Sequence, residues 1–145
     1  MEVLNDILGY KNRKIFQDTD CFSFSLDSIM LANFATIRLK DKKIVDLGCG
    51  NGVIPLIMSL RCDKKIIGVE LQSKLADMAK RSVDYNDLSN VIEIINTNMK
   101  DYVSDDTFES FDLITCNPPY FKVNDKNFFN DNIEKVIARH EVEIT

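Results

Sequence analysis

Four short runs rich in β-branched residues, at 43–47, 65–70, 91–95 and 111–115, constrain this chain more than any other feature. Each is too continuously apolar for a sheet with one wet face, so each is expected to be a strand buried on both sides. Helix-like segments alternate with them. Residues 53–61 are apolar on almost every side, which suits a short helix packed between a sheet and its neighbours. Pro55 falls in its first turn, where a missing N–H costs nothing. Between the second and third runs, Leu71, Leu75, Met78, Ala79 and Val83 recur at helical spacing, while Lys74, Asp77, Lys80 and Arg81 point elsewhere. Strands and helices in alternation specify a parallel α/β sheet.

Upstream, Leu26, Ile29, Met30, Asn33, Phe34 and Ile37 follow a helical period, with Ser25 or Asp27 available to cap its start. The preceding Cys21-Phe22-Ser23-Phe24-Ser25 alternates large and small residues like a short strand. Downstream, the chain is polar and aromatic from Asn124 to Asn132, then helix-like from Ile133.

A chain of 145 residues fits one domain at most, and 45% hydrophobic with 28% charged residues is globular rather than disordered composition. No stretch approaches the run of about 20 apolar residues that spans a bilayer. The start, Met1-Glu2-Val3-Leu4-Asn5-Asp6, has neither a basic nor an apolar leader region, so a cytoplasmic location without membrane contact is expected. Cys21, Cys49, Cys62 and Cys116 form no C-x-x-C pair and His140 stands alone, so neither a disulfide framework nor a metal site is indicated. A net charge of −5 argues against a self-sufficient nucleic-acid binder, because such affinity leans on Lys and Arg. Lys11, Arg13 and Lys14 are a local exception, either facing a phosphate backbone or simply solvated.

The strongest local signal is Asp46-Leu47-Gly48-Cys49-Gly50-Asn51-Gly52, set between a buried strand and a helix. A glycine turn lets backbone approach a ligand closely, and the following helix start offers unpaired N–H groups. The spacing is tighter than the G-x-G-x-x-G pyrophosphate fingerprint, so S-adenosylmethionine (SAM) fits better than a dinucleotide. Asp46, directly or through water, can hold the methionine ammonium, and N–H groups about Gly48, Cys49, Gly50 and Gly52 can hold its carboxylate. A purely structural glycine turn is the alternative. Glu70 ends the second run, where an acid reaches ribose hydroxyls in nucleotide-binding α/β folds, and Leu71 beside it can cover an adenine face. Alone, Glu70 would read as a solvated strand-end charge. In the next loop, Thr97-Asn98-Met99-Lys100-Asp101, the Asn98 carbonyl can accept from the adenine amino group, with Met99 alongside. Asp101 lies close by as the other candidate.

Asn117-Pro118-Pro119-Tyr120 follows the fourth run directly. An amino group conjugated to a ring has a delocalised lone pair and is a poor nucleophile. Two acceptors, the Asn117 side-chain oxygen and the Pro118 carbonyl, can orient it so that the lone pair develops toward a methyl donor. Tyr120 offers a flat face for stacking. Asn117, Pro118 and Tyr120 are therefore the catalytic candidates, with Asn117 also touching the cofactor, and no histidine base is needed. The same residues also read as a plain turn backed by an aromatic.

Asp46 to Gly52, Glu70 and Asn117 to Tyr120 together resemble the Rossmann-like, class I SAM-dependent methyltransferases of the NPPY-bearing amino methyltransferase branch. Phe16-Gln17, the run from Phe22 to Phe34, and Ala138-Arg139-His140-Glu141 resemble the bacterial valine-tRNA adenine-N6 methyltransferase family. The resemblance implies a parallel sheet of order 3-2-1-4 and methylation of adenine N6 in tRNA with SAM as cofactor. Residues 1–40 would form a strand and helix lid, and residues 41–145 the SAM-dependent domain. Asp27 and Ser28 would start the helix that lids the pocket, with Asp27 as a simple helix cap the equal alternative. Such enzymes usually carry an Asp where this chain has Asn98. They also continue through a fifth strand and a final antiparallel pair, so the C-terminal strands are expected to be missing, leaving an edge open to self-association. Two other readings stand beside this one: glutamine N5-methylation of a translation release factor, and an inactive SAM-binding fragment. The first of these usually carries a helical substrate domain ahead of the SAM domain, for which residues 1–40 leave little room.

Overall fold

The computed structural model describes residues 1–21, 24–102, 104, 107, 109–118, 121–122 and 140–141. At its centre the expected strands appear as β3 (Lys43–Leu47), β4 (Lys65–Glu70), β5 (Ile92–Asn96) and β6 (Leu113–Cys116), numbered after an N-terminal pair described below. All pair in parallel, in the order β5-β4-β3-β6, which is the expected 3-2-1-4. The two central strands, β3 and β4, are buried on both faces, as their apolar runs require. The outer strands are not: Glu93 of β5 and Ile114 and Cys116 of β6 are exposed, because an outer strand has a neighbour on one side alone. Ile44, Ile66 and Ile92 lie side by side in register and pack into the larger core. Their neighbours Val45 and Ile67, pointing the other way, join Val69 in a second cluster with Met99, Tyr102 and Phe111 against it.

The connecting helices are α2 (Val53–Met58), α3 (Ser73–Tyr85) and the short α4 (Met99–Tyr102). Every residue of α2 is buried, matching its all-round apolarity. It stops before the expected Arg61 in tighter turns, where Ser59 Oγ donates to the Leu56 carbonyl at 2.6 Å. The β6 strand starts two residues later than its apolar run, because the Asp112 carboxylate accepts from Lys42 N at 2.7 Å and Lys43 N at 3.1 Å.

The N-terminal segment departs furthest from expectation. It forms an antiparallel hairpin, β1 (Glu2–Ile7) and β2 (Tyr10–Asp18), turning at Leu8-Gly9 with Gly9 at φ +80°. The hairpin docks on α3: Phe16 N donates to Ser82 Oγ at 2.9 Å, and the Asn86 amide both accepts from Lys14 N at 2.9 Å and donates to Lys14 O at 2.7 Å. Two of the three basic residues there are engaged within the protein, Lys14 with Asp6 at 2.7 Å and Arg13 with Ser59 Oγ at 3.2 Å. Cys21, Phe24 and Ser25, expected in a strand, lie outside one. Helix α1 (Leu26–Phe34) follows and ends before the expected Ile37; Ser25 sits at its N-cap without a side-chain capping bond, and Asp27 lies inside its first turn. A two-residue parallel pair, β7 (Phe121–Lys122) with β8 (His140–Glu141), sets Phe121 opposite His140. The helix expected from Ile133 lies outside the described residues. Among the described residues no helix is long and apolar enough to cross a membrane.

Gly68, in the middle of β4, leaves room for the loop after β3. A Cβ there would stand 2.8 Å from both Cys49 Sγ and Ile94 Cδ1, and 3.2 Å from Cys49 Cβ. Gly68→Ala should therefore lower stability by about 1–3 kcal/mol through overpacking. Urea unfolding measures it, and an unchanged midpoint would contradict this account.

Candidate functional site

The site lies at the C-terminal ends of the parallel strands, beside the point where the strand order reverses between β3 and β6. The turn after β3 uses glycines at positive φ, +71° at Gly48 and +55° at Gly50, values that a side chain resists. Gly48 N and Cys49 N both donate to the Val69 carbonyl, at 2.8 and 3.0 Å, and Gly52 N donates to Cys49 O at 2.9 Å. Gly50 N donates to Glu70 Oε2 at 2.8 Å. The N–H groups expected to grip a ligand at these four glycine-turn positions are thus bonded within the protein. The first-turn amides of α2, at Val53 and Ile54 on the cleft wall, are the ones that helix geometry leaves without an intrahelical partner.

Glu70 is 6% exposed and lines the cleft. Its other oxygen, Oε1, accepts from Gln72 N at 2.8 Å. Burial pushes its acid upward, and the amides of Gln72, Gly50 and Leu71 pull partly back. Each carboxylate oxygen still has a second lone pair for a ligand hydroxyl. Leu71, 41% exposed, and Met99 supply apolar cleft surface.

Asp46 sits beneath this surface rather than in it, 0% exposed and absent from the cleft lining. Its Oδ1 accepts from Thr115 Oγ1 at 2.7 Å across the β3–β6 pair. Its Oδ2 has no hydrogen-bond partner. Desolvation pushes the acid up to about 7, with the Thr115 bond opposing and the Glu70 charge adding to the shift. Gly52 also stays out of the lining; it lets α3 approach, since a Cβ there would meet Ala79 Cβ at 3.3 Å. Cys49 lines the cleft as a neutral thiol, its acidity suppressed by burial and by the Asp46 and Glu70 charges.

Asn98 lines the cleft, but its Oδ1 accepts from Lys100 N at 2.9 Å and so caps α4. Asn117 and the exposed Pro118 form the β6 side of the same cleft, and Asn117 Nδ2 donates to Ser28 Oγ at 2.9 Å. Tyr120 lies outside the described residues. The cleft also takes in Phe24, Asn51, Gln72 and Thr97, which the motifs did not single out. Asn51 had a signal, being the one amide inside the glycine turn; it is buried and its Nδ2 donates to Phe16 O at 3.1 Å, tying the turn to the hairpin. Among the described residues no group of His, Cys, Asp and Glu could hold a metal.

A parallel sheet in this order, with a glycine turn after β3 and an acid ending β4, is the class I methyltransferase architecture. Residues 18–140 match the family model of the methyltransferase small domain, and the chain belongs to that family. It is 30% identical over 133 residues to a tRNA1(Val) (adenine(37)-N6)-methyltransferase of Haemophilus influenzae, covering 90% of this chain and 55% of the relative. A protein of the same name from Bacteroides fragilis is 24% identical over 77% of this chain and 47% of the relative. The chain thus spans about half the length of these relatives. A SAM-dependent methyltransferase from Agrobacterium tumefaciens shares the fold with a TM-score of 0.63, at 17% identity, over 83% of this chain and 40% of that one. A human methyltransferase 10 domain containing protein does so at 0.50 and 22% identity, over 65% and 44%.

Asp46 holds its proton more tightly folded than unfolded. The stability this confers is complete below the ordinary carboxylate range of about 4 and is lost as pH rises through the folded value. Urea unfolding of the ligand-free protein should therefore show a stability that falls between about pH 4 and 7, by up to ~1.4 kcal/mol per pH unit. In Asp46→Asn this component disappears; an identical slope in both proteins would refute the assignment.

Proposed function

We propose that this chain carries the cofactor site and the acceptor-orienting strand end of a SAM-dependent methyltransferase acting on adenine N6 in tRNA. The observation that carries the reading is the meeting of Asn117 and Pro118 with Glu70 and the glycine turn in one cleft. SAM presents an ammonium, a carboxylate, a ribose diol and a flat adenine, and the cleft offers matching chemistry. Two buried side-chain oxygens among the described residues have no partner, Asp46 Oδ2 under the turn and Gln72 Oε1 on the cleft wall, and both suit a ligand rich in N–H donors. Asp46, being fully buried, serves the ammonium through water or a small shift of the turn. Glu70 takes the ribose hydroxyls, the α2 amides take the carboxylate, and Leu71 and Met99 cover the adenine.

When bound, the cofactor supplies an activated methyl group on a sulfonium. The chain's own part is to hold the acceptor: Asn117 Oδ1 and the Pro118 carbonyl each take one N–H of the amino group and fix its lone pair in line. Tyr120 would stack against the base, which must be unstacked or flipped to enter. Support for tRNA comes from the names of the relatives, because Arg13 and Lys14 are engaged within the protein. The same reading makes residues 1–40 a lid segment and residues 41–145 part of the SAM-dependent domain, and it places the protein in the cytoplasm. It also assigns self-association to the edge of β6, the terminal strand of the four-stranded sheet, where Ile114 is 59% exposed.

The test is methyl transfer from labelled SAM to tRNA, followed by nucleoside analysis. Label in N6-methyladenosine is expected, and Asn117→Ala should lower kcat by about 10²–10³ while changing SAM affinity far less. Label on a release-factor glutamine would move the assignment to a protein substrate. SAM binding without transfer to either would reduce the chain to a binding unit.

A further inference from the structure

We infer that Ser28 is a positioning residue, whose hydroxyl sets the sense of the Asn117 amide so that its carbonyl, not its NH2, meets the incoming amino group. The inference rests on the reading of Asn117 as an acceptor. An asparagine amide rotates about a two-fold terminal torsion, and its oxygen and nitrogen are nearly equal in shape, so packing alone cannot choose between the two senses. A hydrogen-bond partner can. The choice matters because a substrate amino group brings two N–H donors, and an NH2 turned toward it would oppose them.

Asn117 Nδ2 donates to Ser28 Oγ at 2.9 Å, a contact between residues 89 positions apart. With the nitrogen turned to Ser28, the amide geometry sends Oδ1 away from α1. Ser28 is 7% exposed, so little water competes for the contact. A serine inside a helix can give its own proton to the carbonyl one turn back, and then presents only lone pairs outward.

The helix that carries the hydroxyl is held at its C-terminal half. Asn33 Nδ2 donates to Tyr10 Oη at 2.6 Å and to Ile29 O at 2.8 Å, linking the helix to the hairpin. Arg61 Nη1 donates to Ala32 O at 2.5 Å from the loop beyond α2. Ser28 thus comes from a helix braced on two other elements, while Asn117 comes from a strand end. The bond between them couples the N-terminal segment to the acceptor site.

The experiment compares the full chain with Ser28→Ala and Ser28→Thr. Side-chain NH2 signals in ¹⁵N spectra, with the Asn117 pair identified by its loss in Asn117→Ala, report the contact independently of activity. In Ser28→Ala the Asn117 NH2 signals should move and exchange faster with water, and Ser28→Thr should restore them. In methyl transfer, Ser28→Ala should lower kcat about tenfold with KM for SAM and the melting temperature nearly unchanged, and Thr should rescue it. Unmoved Asn117 signals overturn the inference. So does a loss of kcat that follows loss of SAM affinity or of folding, because that marks a merely structural serine. If the unsubstituted protein transfers no methyl group to tRNA, the functional reading fails, while the NH2 signals still decide the Ser28 contact.

Discussion

The carboxylate of Glu70 is the clasp on which the site depends. One oxygen receives Gly50 N from the loop after β3 and the other receives Gln72 N at the start of α3, both at 2.8 Å. These bonds draw two successive crossover loops together and define the floor between them. The cost is a buried acid, and its upward shift shows that desolvation outweighs the amides that surround it. Loss of the side chain would take the partner from two part-buried N–H groups at once, on two different loops.

Asp46 is the contrasting case. It stands on the neighbouring strand with the same chemistry but receives one hydroxyl, from Thr115, and its second oxygen receives nothing. Two carboxylates close together in a low-dielectric setting hinder each other's ionisation. Burial pushes both acids upward; amide bonds pull Glu70 partly back at the surface of the cleft, and Asp46, with one bond from Thr115, is held up to about 7 beneath it. Deeper burial and a poorer hydrogen-bond supply, rather than residue type, set Asp46 apart from Glu70.

The central sheet was legible in the sequence because strands buried on both faces carry unbroken apolar stretches, and Ile44-Val45 and Ile66-Ile67 supply them in β3 and β4. The hairpin was not. Its strands carry Asn5, Asp6, Lys11, Asn12 and Arg13 among a few buried residues, and Leu8-Gly9 lacks the Asn or Asp that marks a tight hairpin turn. Much of its docking runs through side-chain amides and hydroxyls on α3, a signal that hydrophobic periodicity does not carry. At the site, the motifs located the cleft but not the division of labour within it. Gly52 serves helix packing, Asn98 caps α4, and the amides of Gly48 and Cys49 close on Val69. Local spacing names residues near a crevice; which hydrogen bonds are already spent depends on partners far away in sequence.

Gly52 and Ala79 face each other with 3.3 Å between the methyl of one and the position a methyl would take on the other. Both positions hold residues at or next to the smallest size available, so neither can yield volume to the other. Shrinking Ala79 to glycine would open space yet still leave position 52 at φ +91°, where a side chain is strained. The junction between the loop after β3 and α3 therefore has no compensating pair of substitutions, and the spacing of that helix from the loop is a quantity the chain can change only by rebuilding both.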